Sequence, residues 1–143
     1  MKRILFFSFL SLQIFVACNS DENKTETPSS ENDVDAARNF IRSALDGNYS
    51  RARQFMVRDS LNDERIENVE RNYQKNMRSE DKRGYREASI TLYDSRQIND
   101  SITIVNYSNS YMNKKDSLKV VRINGQWLID LKYSFLPPDT TQK

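Results

Sequence analysis

Apolar residues recur every three or four positions through the first part of the chain and then switch to every second position. Val34, Ala37, Phe40, Ile41, Ala44 and Leu45 share one helical face. Asn32 or Asp33 can cap that helix, and Gly47 stands where a left-handed C-terminal residue belongs. Ser50 can cap a short second helix with Ala52, Phe55 and Met56 inward. A third begins near Asn62 or Asp63 and repeats Ile66, Val69, Tyr73 and Met77. Its apolar stripe is narrow and its other faces are densely charged, which places it over the outside of a domain.

After SEDKRG the period becomes 2. In KVVRINGQWLIDLKY, Asn124-Gly125 between alternating residues predicts a two-residue type I′ hairpin. Its register pairs Arg122 with Trp127, Val120 with Ile129, Leu118 with Leu131 and, on the opposite face, Lys119 with Asp130. A second hairpin turning at Asn99-Asp100 pairs Asp94 with Val105, Leu92 with Tyr107, Ile90 with Asn109 and Ala88 with Tyr111. A loop from Met112 to Lys115 joins the hairpins and sets Val105 beside Arg122 and Tyr107 beside Val120. The three connections agree on one inner face. Helices followed by a four-stranded antiparallel meander make an α+β fold, in which N-terminal helices pack on a four-stranded antiparallel sheet and cover its apolar face.

Ahead of these elements, MKRILFFSFLSLQIFVA has a basic start, an apolar stretch from Ile4 to Ala17 and a small residue before the break. That is the pattern of a secretory signal peptide, and the stretch is short against the roughly 20 apolar residues of a bilayer span. Phe15-Val16-Ala17-Cys18 resembles the lipobox of bacterial lipoproteins, with Phe in place of the usual Leu. The resemblance implies a diacylglycerol on the Cys18 sulfur, cleavage before it and acylation of the new amino terminus. An ordinary signal peptide cleaved after Ala17, leaving a free thiol, is the alternative. One buried acyl chain binds a membrane reversibly and two or three hold durably.

The polar tract that follows cannot bury enough apolar surface to repay its ordering. The expected organisation is a signal peptide over 1–17, the lipidated cysteine and a tether over 18–32, the domain over 33–136 and a disordered tail over 137–143. A flexible tether of this length spans roughly 20 Å on average. Removing residues 1–17 takes two of the 22 basic residues and none of the 20 acidic ones, so the mature chain is neutral. Interspersed signs leave no electrostatic footprint for nucleic acid, and none is expected as a partner. A single cysteine and no histidine remove intramolecular disulfides and the usual zinc and haem ligand sets, so no metal or cofactor is expected.

The helical segment VDAARNFIRSALDGNYSRARQFM is similar to the opening of nuclear transport factor 2-like domains, and NGQWLIDLKY to their closing hairpin. Within that superfamily the chain looks most like a bacterial envelope lipoprotein family of unassigned function. The resemblance covers residues 34–133 and implies a cone-shaped half-barrel, its curved sheet wrapped around helices, often with a pocket at the wide end. Such cones host isomerases and dehydratases as well as binding modules. The candidate pocket lining is Asp94, Val105, Tyr107, Asn109, Tyr111, Arg122 and Trp127. An Asp in an apolar cone can act as a base and a Tyr can stabilise an oxyanion, so Asp94 with Tyr107 is the catalytic reading, an isomerase or hydratase. Against it, Asp94 and Arg122 lie near strand ends, Arg122 over Trp127 is an ordinary cation–π contact, and Tyr rings with a wet hydroxyl are ordinary core residues.

The expected function is therefore non-catalytic: a lipid-anchored envelope protein, held at the outer membrane on its periplasmic or surface face, binding a small hydrophobic ligand or an envelope protein. Asp21 and Glu22 resemble an export signal to the cell surface in one group of Gram-negative bacteria. The charged helix NDERIENVERNYQKNMRSEDKR, with Glu67 spaced to pair with Arg71, reads as a solvated surface or a docking face. NYS at 48–50 and NDS at 99–101 match the glycosylation pattern, which arises readily by chance.

Overall fold

A computed structural model describes residues 29–134. Cys18, the tether up to residue 28 and the tail 137–143 lie outside the described residues.

Asn32 caps α1 (Asp33–Leu45), its side chain accepting from the Asp35 N–H. Gly47 follows with φ of 74°, and a Cβ there would meet the Tyr73 ring at 2.7 Å. The second helix starts earlier than its sequence suggests, because Asn48 rather than Ser50 is the cap: α2 spans Tyr49–Ala52 and tightens into a 3₁₀ turn at Arg53–Phe55. Asp59 caps α3 (Ser60–Lys75), of which only Asn62 and Ile66 are buried, as expected of an outer helix. Its Glu70 pairs with Arg53 at 2.6 Å and its Asp63 with Arg58 at 3.0 Å, while Arg71 donates to Asn68 instead of pairing with Glu67. SEDKRGYRE, where the pattern suggested only a break, forms α4 (Ser79–Glu87). None of its residues is buried, so no hydrophobic stripe announced it. Arg42 of α1 holds its C-terminal end, donating to the carbonyls of Ala88, Arg86 and Tyr85 at 2.8, 3.1 and 3.3 Å.

The sheet is an antiparallel meander in the order β1-β2-β3-β4, formed by Ile90–Asn99, Ile102–Asn109, Asp116–Ile123 and Gln126–Asp130. Phe40, Ile41 and Leu45 of α1, Phe55, Met56 and Ile66 pack on Val105, Leu118, Val120 and Ile129 from the sheet. The chain is therefore α+β. Met56 bridges to Ile129 beyond β4, and the Val57 N–H donates to the Ile129 carbonyl at 2.9 Å, which covers that edge.

The last hairpin has the expected turn, with Asn124 and Gly125 both at positive φ, and the expected register at Arg122–Trp127, Val120–Ile129 and Lys119–Asp130. It ends one pair early. The Leu131 N–H donates to the buried Asn62 side chain at 2.8 Å, and Leu131–Ser134 turns into α5, so Leu131 has no partner in Leu118. In the first hairpin Ile90–Asn109 and Leu92–Tyr107 pair as expected, but a bulge after Leu92 sets Asp94 opposite Asn106 and Ser95 opposite Val105. A second irregularity moves the turn to Asp100-Ser101.

The β2–β3 register departs most. Val105 pairs with Leu118 and Tyr107 with Asp116, so eight residues, 108–115, lie between the last paired positions where four were expected. Tyr111 leaves the sheet to lay its ring over Gly84 and beside Tyr85, 5.0 Å between centroids, and donates its hydroxyl to Asp81 at 2.7 Å. It therefore does not pair with Ala88. The slip is four residues, an even number, so each residue keeps its face and only its neighbours change.

Candidate functional site

Where α1 stops covering the sheet, a cleft of about 400 Å³ opens between α1, α4, β2 and the β2–β3 loop. Phe40, Ile41, Ala44 and Leu45 form one wall, Tyr85 and Tyr107 another, and Asn109, Met112, Lys114 and Asp116 the mouth. An apolar interior with a few polar groups at one end is the usual make-up of a small-molecule site, and the volume lies within the usual range of about 300–1,000 Å³.

Each mouth residue has a definite position. Asn109, the last residue of β2, accepts the Met112 N–H on its Oδ1 at 2.9 Å, so its amide NH₂ is the end left free. Asp116 opens β3. Its Oδ1 accepts from the Ser117 N–H at 2.7 Å and its Oδ2 from the Tyr107 hydroxyl at 3.3 Å. Burial holds the Tyr107 hydroxyl above its ordinary value, and the neighbouring Asp116 charge pushes in the same direction. It is thus a protonated donor at neutral pH. Lys114 makes no hydrogen bond or ion pair among the described residues. The Tyr85 hydroxyl is also pushed up, by burial first and by Asp81 second.

Of the seven predicted lining residues, the structure brings only Tyr107 and Asn109 into this cleft. Val105 is fully buried in the core. Tyr111 borders an adjoining hollow of about 250 Å³ with Asp81, Tyr85 and Met112. Arg122 and Trp127 do stack, 5.5 Å from guanidinium to ring, but at the turn of the last hairpin, away from Asp94. The bulge turns Asp94 to the helix-free face, where it lines a depression of about 310 Å³ with Tyr93, Asn106, Lys115, Ser117 and Asp116, the last also bordering the cleft. Asp94 and Tyr107 therefore share no cavity. Sequence reasoning missed Tyr85, Met112, Lys114 and Asp116: α4 had no apolar stripe, and the shorter expected loop left KKD at its margin. Among the described residues no group of three or more His, Cys, Asp or Glu could hold a metal ion. No helix among them is long and apolar enough to cross a membrane.

The helix-free face is not uniformly polar. Ile102, Ile104, Val121, Ile123 and Leu128 fall on it toward the hairpin turns, with Ile123 exposed, and Ile98 at the strand irregularity is exposed as well. No protein family, curated protein or solved structure matches this chain.

Proposed function

We propose that this protein is a bacterial envelope lipoprotein, anchored through lipid on Cys18, whose nuclear transport factor 2-like domain is a non-catalytic module that holds a small molecule in the cleft beneath its sheet. The anchor rests on the lipobox-like FVAC and the polar tract after it. The family reading rests on the helix and closing-hairpin motifs together with the order of helices and meander. The cleft carries the functional reading, since its apolar walls and polar mouth suit a ligand with one polar end. Catalysis by Asp94 with Tyr107 is not carried forward, because the two groups lie on opposite faces of the sheet.

Metabolic labelling with an alkyne fatty acid tests the anchor: label on the wild type and none on Cys18→Ala is expected, and equal label on both would end that reading. For the cleft, small molecules extracted from purified wild type and Ala44→Trp are compared, the new ring filling the space beside Ala44. A species present in the first and lost from the second is expected; no difference would count against a ligand there. A protein partner from the envelope is the second reading, favoured by the aliphatic strip around Ile98 and Ile123. A photo-crosslinking residue at position 123, used in intact membranes, would capture such a partner.

A further inference from the structure

We infer that the cleft takes an amphipathic monocarboxylate, its apolar body against Phe40, Ile41 and Tyr107 and its carboxylate between Lys114 and Asn109. This rests on the cleft being the ligand site proposed above and adds the chemistry of the head group.

The inference begins from donors that the fold leaves unused. The Met112 N–H fixes the Asn109 amide so that its NH₂ faces away from the loop backbone. Lys114 stands on the same mouth without an acceptor among the described residues, whereas its neighbour Lys115 is engaged over the Tyr93 ring at 5.0 Å. An ammonium and an amide at one end of an apolar cleft are complementary to a carboxylate, and hydrogen bonds to an ionised acceptor are about twice as strong as neutral ones. The cavity walls hold apolar and aromatic surface for the remainder of the molecule.

Asp116 narrows the class further. Its carboxylate accepts from the Tyr107 hydroxyl and the Ser117 N–H, and its negative charge remains at the mouth. One anionic charge can sit on Lys114 with Asp116 nearby. A dianionic phosphate would give up more hydration on entry and find only two donors for its three terminal oxygens. An amine would bring its positive charge up to Lys114 and would leave both free donors unpaired.

The test uses the full chain in phosphatidylcholine nanodiscs, with backbone amide shifts followed by NMR during titration with 4-phenylbutyrate, 4-phenylbutylamine and 4-phenylbutyl phosphate. Saturable shifts at Phe40, Tyr85, Tyr107 and Asn109 with the carboxylate are expected, at least tenfold tighter than with either other probe. Lys114→Gln, at an exposed loop position, should weaken the carboxylate about tenfold without weakening the amine. Tighter binding of the amine or the phosphate, equal binding of all three, or no effect of Lys114→Gln would overturn the head-group assignment while keeping the cleft as a ligand site. No saturable shift at the cleft with any probe would overturn both.

Discussion

Asn62 ties the outer helix to the end of the sheet, and replacing it with Ala tests how much one buried amide contributes. Its Oδ1 accepts the Leu131 N–H at 2.8 Å and its Nδ2 donates to Asp59 at 3.0 Å, with none of the residue exposed. Asn62→Ala leaves the buried Leu131 N–H without an acceptor, which costs about 1–3 kcal/mol, and loses the bond to Asp59, about 0.5–1.5 kcal/mol. The better helix propensity of Ala returns about 0.5 kcal/mol. The net loss is about 1–4 kcal/mol, a sizeable share of the roughly 5–15 kcal/mol that holds a small domain. With a urea m-value of about 1.5 kcal/mol/M the midpoint should fall by about 0.7–2.7 M. Urea unfolding followed by Trp127 fluorescence measures it, with Asn68→Ala on the exposed face of the same helix as control, expected within about 0.5 kcal/mol of wild type. A loss below about 1 kcal/mol for Asn62→Ala, or equal losses for both variants, would refute the assignment of this amide as the tie.

Asp59, held down to about 2 first by the Lys132 hydrogen bond and then by the Asn62 N–H, gives a pH signature. Its folded value lies below the unfolded value of about 3.9, so its contribution is fully present above about pH 4 and is lost as pH falls through about 2. The stability difference between wild type and Asp59→Asn should therefore shrink between pH 5 and pH 2 in urea titrations; a constant difference would argue against it. Gly47→Ala should destabilise by more than about 1 kcal/mol, because a left-handed Ala is strained and its Cβ must displace the Tyr73 ring; thermal unfolding reads it. Arg42→Met should cost about 1–2 kcal/mol and speed amide exchange in α4 more than in α1, since the carbonyls of Tyr85, Arg86 and Ala88 lose their donor. Gly84→Ala should raise the helix propensity of α4 by about 1 kcal/mol yet release Tyr111, whose ring a Cβ would meet at 2.3 Å. Loss of the Tyr111–Asp81 hydrogen bond with little change in overall stability is the expected NMR result.

What the sequence determined by itself was local or periodic. The α1 cap, the left-handed Gly47, the type I′ turn and the inner face of the sheet follow from propensities and from period-2 alternation, which need only near neighbours. Face assignment survived even where the β2–β3 pairing slipped, because the slip was even. Tertiary structure decided whatever depended on residues distant in the chain meeting. Asn62 stops β4 at Asp130, Arg42 secures a fourth helix that has no buried face, and Tyr111 on Gly84 lengthens the loop that carries Lys114 to the cleft. The bulge after Leu92 moves Asp94 to the other face, so the candidate site contains two of the seven residues the pattern proposed. Parity along a strand is a property of the chain, whereas a one-residue bulge or a longer loop is selected by packing against elements far away in sequence.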